Sequence, residues 1–291
     1  MAAAAKKKIV VCGGNGFLGS RICKSAVARG WDVTSISRSG EPTWSTVTAS
    51  PDPPQWSTSV RWEKADILKP LNYQPLLKNA DAVVHSMGIL LEADYKGVLT
   101  GKESVVSGLQ RAFSSTKGGS QNPLERKQGE ALQPQEKDGQ LTYELMNRDS
   151  AITLAQESSH EKVPTFVYIS AAAGTPILPT RYITTKRDAE STIASSLPSL
   201  RSIFIRPAFL YDSSRYYTLP IAAAGGVAAT MNSMTGGRLT WLMGAGGIKP
   251  LKADVVAEAV VEAIGDDKVK GPVETREIED LATKSWRRGM L

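Results

Sequence analysis

The feature that most limits the fold is a glycine-rich turn near the start of the chain. Gly13, Gly16 and Gly19 recur at every third position, directly after the apolar run 7–12 (KKIVVC) and at the start of a segment with helical periodicity, 16–29. A short apolar run bounded by glycines is typical of a strand buried on both faces. The order of strand, tight turn and helix therefore predicts the first unit of a layered α/β fold.

Strands and helices alternate along the rest of the chain. Runs rich in apolar and β-branched residues predict strands, and segments with helical periodicity lie between them. Predicted strands cover 32–37, 60–65, 82–86, 163–170 and 202–206, and predicted helices cover 71–78, 142–159, 181–196 and 255–264. This alternation predicts an α/β class fold with a doubly wound parallel sheet and right-handed crossovers.

The chain of 291 residues also contains less regular stretches. Residues 39–58 are rich in Pro, Gly, Ser and Thr and predict an irregular excursion. Residues 114–141 are polar and rich in Gly, Pro, Gln and charge, which predicts a disordered surface insertion. We expect a core at 1–210 and, at 211–291, a small apolar lobe for a substrate or partner together with the last core helix and a basic tail.

The predicted lobe rests on its unusual composition. Residues 216–248 are apolar, rich in Gly and Ala, and poor in charge. Such a segment favours a buried substrate lobe, and the alternative is an apolar surface for a polyprenyl tail, a bilayer or a protein partner.

Within this fold, the glycine turn predicts a dinucleotide site. The spacing G-x-x-G-x-x-G allows a tight turn, a close approach of the backbone to a pyrophosphate, and close packing of helix on strand. The helix N-terminus adds N–H donors and the positive end of a dipole. We expect the cofactor to contact Gly13, Asn15, Gly16, Phe17, Leu18 and Gly19.

The end of the second strand predicts which dinucleotide binds. An acidic residue there would bond the ribose 2′-hydroxyl, but the chain has Ser37 and Arg38. A guanidinium beside a hydroxyl suits a 2′-phosphate, which favours NADP(H) over NAD(H), unless Arg38 is only a solvated surface residue. Asp66 could accept hydrogen bonds from the adenine, or be an exposed loop aspartate. Further cofactor contacts are expected at Ile67, Met87, Gly88, Ser170, Lys186, Pro207 and Phe209.

Tyr182 and Lys186 are a candidate catalytic pair. They lie four residues apart and would share one face of the predicted helix. In hydride transfer with a nicotinamide dinucleotide, the lysine of such a pair binds the ribose hydroxyls and lowers the pKa of the tyrosine. The tyrosine then donates or accepts the proton that accompanies the hydride.

Four motifs together resemble the atypical short-chain dehydrogenase/reductases: GGNGFLG at 13–19, YISAAAG at 168–174, YITTK at 182–186 and RPAFLY at 206–211. The resemblance covers most of the chain outside the insertion and implies a Rossmann fold. Within that family, 90–102, 143–149 and 285–288 are similar to the fungal mitochondrial Rossmann proteins of coenzyme Q biosynthesis, which are related to the Rossmann subunit of respiratory complex I. This implies a location on the matrix side of the inner membrane, with proteins of the coenzyme Q synthesis complex as partners.

One departure from the family bears on catalysis. Active members carry a serine near the end of the fifth strand, and that position corresponds to Ala172 here, with Ser170 two residues too early. A carbonyl substrate would lose one donor, which by analogy with an oxyanion hole costs roughly 10²–10³ in rate. The related complex I subunit holds its nucleotide structurally, so Tyr182 and Lys186 fit a ribose clamp as well as a catalytic pair.

Charge and hydropathy exclude other classes of protein. The net charge of +6 comes from interspersed acidic and basic residues, so no nucleic-acid surface is indicated. No run reaches the roughly 20 apolar residues that span a bilayer, so we expect a peripheral protein.

The basic tail 284–288 (KSWRR) could meet anionic lipid headgroups or be a solvated chain end. His85, at the end of the fourth strand, could contact the ribose or a substrate, or be a packed, hydrogen-bonded histidine.

Three functions remain open on the sequence alone. The first is an NADP(H)-loaded structural or regulatory subunit of the coenzyme Q synthesis complex, favoured by Ala172 and the apolar segment. The second is an active NADPH-dependent reductase, dehydrogenase or epimerase on a quinone precursor, favoured by Tyr182 and Lys186. The third is a sensor of the nucleotide ratio that binds a regulatory partner.

Overall fold

The computed structural model describes residues 6–48, 50–88, 123–125, 127–133, 141–173, 180–212, 218–236 and 247–290. The strands are β1 Lys8–Cys12, β2 Asp32–Ser37, β3 Val60–Lys64, β4 Ala82–His85, β5 Thr165–Ile169, β6 Arg201–Ile205, β7 Leu210–Tyr211, β8 Leu251–Lys252 and β9 Gly271–Val273. The helices are α1 Phe17–Ala28, α2 Trp44–Val47, α3 Pro70–Leu77, α4 Ser150–His160, α5 Thr180–Ser196, α6 Thr218–Met234, α7 Ala253–Gly265 and α8 Thr275–Gly289. Short 3-10 turns lie at Gln55–Ser59 and Pro123–Glu125, and a π-helical turn at Glu144–Asp149 precedes α4.

The central sheet has the predicted doubly wound topology. Within the described residues it contains seven strands in the order β3-β2-β1-β4-β5-β6-β9, all parallel. The chain reverses direction across the sheet between β1 and β4, which are neighbours with Cys12 paired to His85. In such sheets a ligand binds outside the carboxyl ends of the strands at this reversal, so the topology places the glycine turn at the expected crevice.

Both faces of the sheet are covered by helices. One apolar cluster packs α1, α7 and α8 against one face, and a second packs α3, α4 and α5 against the other. The central strands are therefore buried on both sides, which explains why the sequences of β1 and β4 are mostly apolar. The short edge strand β9 was not predicted from the sequence. It lies in the range assigned to the lobe, although the division at residue 210 itself stays a prediction.

The excursion at 39–58 is more regular than predicted. It contains α2 and a 3-10 turn, and it brings Trp44 and Trp56 together with Trp62 of β3. Trp44 meets the rings of the other two edge-on at centroid distances of 5.5 and 5.8 Å. This aromatic cluster anchors an otherwise polar segment, which is why the Pro- and Ser-rich composition did not prevent order.

The prediction of disorder for 114–141 is wrong for residues 127–133. Leu132 is 3% exposed and its N–H donates to the carbonyl of Leu68 at 2.7 Å. The N–H of Gly129 donates to the buried carboxylate of Glu157 at 3.1 Å. A single buried leucine and two hydrogen bonds hold this stretch on α3 and α4, a local effect that average composition does not reveal. Residues 114–122, 126 and 134–140 lie outside the described residues, as does the segment 90–102.

The basic tail forms part of α8. Glu274 and Glu277 form a capping box at the start of this helix. Near its end, Lys284 and Arg288 pair with Glu262 of α7, whose side chain is fully buried. Two of the cations expected at a lipid surface are thus engaged within the protein, whereas Trp286 remains 62% exposed.

The apolar segment is described from 218 to 236 and from 247 onward. Helix α6 carries no charged residue, and Leu219, Val227 and Met234 are exposed on it. None of the helices within the described ranges is both long enough and apolar enough to cross a bilayer.

Candidate nucleotide site

The glycine turn has the geometry of a cradle at the carboxyl end of β1. Gly13 has φ of +85°, and its N–H donates to the carbonyl of Ile36 in β2 at 2.8 Å. A Cβ on Gly19 would lie 2.1 Å from the carbonyl oxygen of Gly13. A side chain at either position would displace the turn. Gly13 is required because its backbone is left-handed, and Gly19 is required because it packs closely against Gly13.

The start of α1 faces this cradle. Its N-cap residue is Gly16, which makes no side-chain cap, and the first turn contains no acidic residue. Phe17 is half-buried, with the guanidinium of Arg21 over its ring at 4.4 Å. The side chain of Leu18 packs into the core, so only its backbone could contact a ligand. These residues fit a pyrophosphate group, which needs free helical N–H donors and little side-chain bulk.

The end of β2 is cationic. Arg38 is exposed, and Lys64 at the end of the neighbouring β3 lies against Gly40, with its Cγ 3.0 Å from a Cβ built there. The amide of Asn15 donates to Ser39 Oγ at 2.7 Å and so joins the glycine turn to this loop. The hydroxyl of Ser37 is buried and donates to the carbonyl of Gly40 at 2.8 Å. The Ser37 hydroxyl, which was predicted to contact the cofactor, is therefore bonded within its own turn, and the Ser39 hydroxyl accepts from Asn15.

Asp66 and Ile67 follow β3. Asp66 is half-buried and its Oδ1 accepts from the N–H of Leu68 at 3.1 Å, which stabilises the turn before α3. Ile67 is 2% exposed and its side chain belongs to the core. A contact between Ile67 and a nucleotide could involve only its backbone.

The loop after β4 lies beside the glycine turn and reaches the far end of the crevice. A Cβ on Gly13 would lie 2.7 Å from Met87 Cγ, so Met87 covers the turn. A Cβ on Gly88 would lie 3.0 Å from Asn147 Oδ1 and 3.6 Å from Lys186 Nζ. The side chains of Asn147 and Lys186 therefore meet at Gly88. This position of Asn147 was not predicted from the sequence.

Tyr182 and Lys186 share a face of α5 as predicted. Lys186 is 4% exposed, its Nζ donates to the carbonyl of Ile169 at 3.0 Å, and it lies 5.7 Å from the centroid of the Tyr182 ring. Burial lowers the pKa of Lys186 to about 7, against a smaller opposing effect of Glu190. Burial raises the pKa of Tyr182 to about 12. The expected lowering of the Tyr182 pKa is thus not present in the chain itself, because burial of the phenol disfavours its anion.

The end of β5 is held by a neighbouring arginine. Arg187 Nη1 donates to Ser170 Oγ at 3.1 Å, and its Nη2 donates to the carbonyls of Ala171 and Ala172 at 2.8 and 2.9 Å. Ser170 thus has a hydrogen-bond partner on the protein side. Ala172, which the resemblance placed at the position of the family's serine, has no side-chain donor, and its N–H donates to the carbonyl of Pro207 at 2.9 Å.

A buried carboxylate connects α5 to the end of β6. Glu190 is 4% exposed and accepts hydrogen bonds from both Arg187 and Arg206. Arg206 also pairs with Glu274 at the start of α8, and these hydrogen bonds raise the pKa of Arg206. The carbonyl of Phe209, a predicted cofactor contact, accepts from the N–H of Leu251 in β8 at 2.9 Å. The network fixes the position of α5 relative to the strand ends.

His85 is packed away from the crevice. It is fully buried, and its Nε2 lies 2.9 Å from Ser150 Oγ. Because Ser150 Oγ donates to the carbonyl of Met146, its lone pair accepts from the Nε2–H of His85. The second alternative from the sequence, a packed and hydrogen-bonded histidine, is the one that the structure contains.

Comparison with known proteins agrees with this geometry. A family described as "NAD dependent epimerase/dehydratase family" matches residues 9–94, which contain the glycine turn and the end of β2. MIOREX complex component 2 of Saccharomyces cerevisiae is 40% identical over 72% of this chain and 74% of its own length. The chain belongs to this epimerase/dehydratase family. A chloroplastic protein of Arabidopsis thaliana, itself uncharacterized, is 26% identical over 96% of the chain and 78% of its own length.

Solved structures show the same fold. UDP-glucuronic acid 4-epimerase from Bacillus cereus, in complex with NAD, matches with a TM-score of 0.54 at 15% identity, over 92% of this chain and 76% of its own. Vestitone reductase from alfalfa matches with a TM-score of 0.52 at 14% identity, over 93% and 76%. The family and the fold together support a nicotinamide dinucleotide as the cofactor, and they confirm the resemblance predicted from the four motifs.

Proposed function

We propose that the chain is an NADP(H)-binding Rossmann protein that supports mitochondrial coenzyme Q biosynthesis as a structural or regulatory member of the synthesis complex. The observation that carries the nucleotide part is the loop after β2, where Arg38 directly follows Ser37, Lys64 lies against Gly40, and the first acidic residue is Glu41. A dianionic 2′-phosphate suits this loop better than a ribose hydroxyl does.

Titration calorimetry with NADPH and NADH tests the nucleotide. NADPH should bind more tightly than NADH. Arg38→Ala should weaken the affinity for NADPH by about tenfold or more and leave the affinity for NADH nearly unchanged, because only NADPH has the 2′-phosphate that forms a charge-assisted hydrogen bond with Arg38. Arg61→Ala is the matched control. It removes a charge from β3 at the other end, where Arg61 lies 4.0 Å from Asp32. Tighter binding of NADH than NADPH would contradict the proposal.

The proposal of a structural or regulatory role, and not a catalytic one, rests on the residues at the end of β5. Ala172 carries no hydroxyl, and the Ser170 hydroxyl is bonded to Arg187. The raised pKa of Tyr182, about 12, also disfavours its loss of a proton near neutral pH. A yeast relative named as a component of a complex supports a role within an assembly. The coenzyme Q pathway, the matrix side of the inner membrane and contact with a quinone or lipid come from the resemblance alone.

A reductase or dehydrogenase acting on a quinone precursor is the second candidate. It is favoured by the Tyr182–Lys186 pair, which keeps the spacing and the shared helix face that proton transfer requires. Lysine at a pKa of about 7 could also accept or donate a proton at neutral pH.

Rescue of a fungal strain lacking this gene separates the two candidates. The strain would carry wild-type protein or the double variant Tyr182→Phe, Lys186→Ala at matched protein levels, and coenzyme Q and its precursors would be quantified. We expect equal rescue, as a structural subunit requires. Failure of the double variant would favour the enzyme, provided that calorimetry shows that the variant still binds the dinucleotide.

A further inference from the structure

A small polar cavity lies between helix α4 and the segment 127–133. Its volume is about 20 Å³, which is room for one particle of the size of a water molecule. The lining residues are Lys127, Gln128, Glu130, Thr153, Gln156, Glu157 and His160. Those on α4 extend to its last residue, so the cavity lies towards the amino ends of the strands, away from the nucleotide crevice.

Two buried side chains in this cavity have unused hydrogen-bonding capacity. Glu157 is 3% exposed, and its Oε1 accepts from the N–H of Gly129 at 3.1 Å. Its Oε2 has no hydrogen-bond partner within the described part of the chain. Thr153 is 4% exposed, and its Oγ1 likewise has no partner among the residues that the structure describes. The two residues are four apart and share one face of α4, so a carboxylate and a hydroxyl line the same cavity.

The carboxylate of Glu157 is poorly compensated. A buried carboxylate needs an ion pair or several hydrogen bonds, because removal from water disfavours its charge. Among the described residues its one basic neighbour is His160, whose Nδ1 lies 3.8 Å from Oε2. That distance is too long for a hydrogen bond, and the imidazole, 47% exposed, is charged only when it is protonated. The cavity therefore offers one negative charge and two free oxygen atoms.

We propose that this cavity binds one small monovalent cation, of the size of potassium or ammonium, through Glu157 Oε2 and Thr153 Oγ1. One carboxylate balances one positive charge, and the volume admits one ion. A divalent transition metal fits less well, because the described residues contain no group of three His, Cys, Asp or Glu side chains arranged to hold it. Since Gly129 is bonded to the same carboxylate, the ion would fasten the segment 127–133 to α4.

Thermal unfolding of the full chain tests this site. Potassium chloride is compared with tetramethylammonium chloride, whose cation is too large for the cavity, at equal concentration and about pH 8, where an ordinary imidazole is neutral. Potassium should raise the midpoint by roughly 3–6 °C at about ten times its Kd, and the rise should saturate, because the ion binds only the folded chain. Equal midpoints in the two salts would mean that the cavity holds water alone, and would overturn the proposal.

Glu157→Gln separates a bound ion from a general effect of salt. The amide keeps an oxygen that can accept from Gly129 and removes the buried charge. The variant should have the same midpoint in both salts, and in tetramethylammonium it should be at least as stable as the wild type. A potassium response of wild-type size in this variant would contradict the proposal. Glu161→Gln, at the end of the same helix and outside the cavity, is the control and should keep the full response. If it loses the response as well, the effect is not specific and the proposal fails.

Thr153→Val tests the second oxygen without changing the charge. The variant keeps the shape of the side chain and removes its hydroxyl. The potassium concentration at half-maximal stabilisation should rise by about three- to tenfold, the effect of one lost ligand oxygen. An unchanged concentration would remove Thr153 from the site and contradict the assignment.

Hydrogen exchange locates the bound ion. Potassium should slow exchange of the Gly129 and Leu132 amides by about tenfold relative to tetramethylammonium, and leave the amide of Thr48, in another surface segment, unchanged. Equal slowing at Thr48 would show an effect that is not local and would refute the site. Lys127 is the competitor within the chain, since it also lines the cavity. If Lys127→Gln responds to potassium and the wild type does not, the lysine ammonium occupies the position and the proposal of a free ion is wrong.

Discussion

His85 illustrates how burial sets the state of a single side chain. Burial lowers its pKa from 6.5 to about 3, and the nearby Lys186 adds to the effect. The folded protein therefore holds this histidine neutral, with its Nε2–H donated to Ser150. The unfolded chain has no such restriction, so it binds a proton as the pH falls below about 6.5, while the folded chain does not until about pH 3.

The consequence is a loss of stability in acid. The free energy of unfolding should fall as the pH drops from 6.5 towards 3, and His85 should have no influence above 6.5. His85→Gln, which keeps an amide donor near Ser150, should show a shallower fall. Urea unfolding at several pH values between 7.5 and 4.5 measures this. His160→Gln, at a histidine whose side chain is 47% exposed, is the control, and a fall as shallow as that of His85→Gln would contradict the role of His85 burial.

Individual site residues were predictable where the backbone alone determines their role. The glycine spacing was sufficient for Gly13 and Gly19, because a side chain at either position would displace the turn. Ser37 was not, since its hydroxyl bonds the carbonyl of Gly40 within its own turn, a contact that spacing does not reveal. Asn147 was missed because its position depends on a π-helical turn that forms through long-range bonds to Tyr168.

At the level of elements, helix α8 depends on one buried carboxylate. Glu262 is fully buried and pairs with Arg29 at the end of α1 at 2.5 Å and with Arg288 of α8 at 2.9 Å. Glu262→Gln would leave these cations without a counter-charge. We expect a loss of about 1–3 kcal/mol in unfolding free energy, below the 3–5 kcal/mol typical of a fully buried pair because the cations are partly solvated.

Glu279→Gln is the control for that prediction. Glu279 also pairs with a lysine, Lys249, but both side chains are solvent-exposed. Its loss should cost about 0–1 kcal/mol. Chemical denaturation of both variants measures the difference, and equal destabilisation would indicate that burial of Glu262 does not matter.

The elements that the sequence predicted are those whose pattern is set locally. Strand β2 was predicted at 32–37 and is observed at Asp32–Ser37, because its β-branched residues are buried on both faces. Strand β9 was missed since three residues carry no periodicity, and it pairs with β6, which lies some 70 residues earlier in the chain. The predicted helix at 142–159 begins instead with a π-helical turn, to which the buried hydroxyl of Tyr168 in β5 donates a hydrogen bond.

At the scale of the whole molecule, the predicted division at residue 210 crosses a continuous core. One apolar cluster contains Ile9 of β1, Val260 of α7 and Ile278 of α8, all fully buried. The last two lie beyond residue 210. Residues 1–210 alone would therefore expose one face of the sheet to water, at roughly 25 cal/mol for each Å² of apolar surface uncovered.

The full chain should therefore unfold as one cooperative unit. Calorimetry should show a single transition for residues 1–291, and the fragment 1–210 should show none. NADPH at 100 times its Kd should add about 2.7 kcal/mol and raise the midpoint by roughly 5–10 °C, because only the assembled crevice binds it. Two separate transitions, with only the first shifted by NADPH, would mean that the 211–291 lobe folds independently. A single transition that NADPH moves as a whole would mean that the site and the C-terminal helices stabilise each other, so that loss of α8 weakens nucleotide binding at a distance.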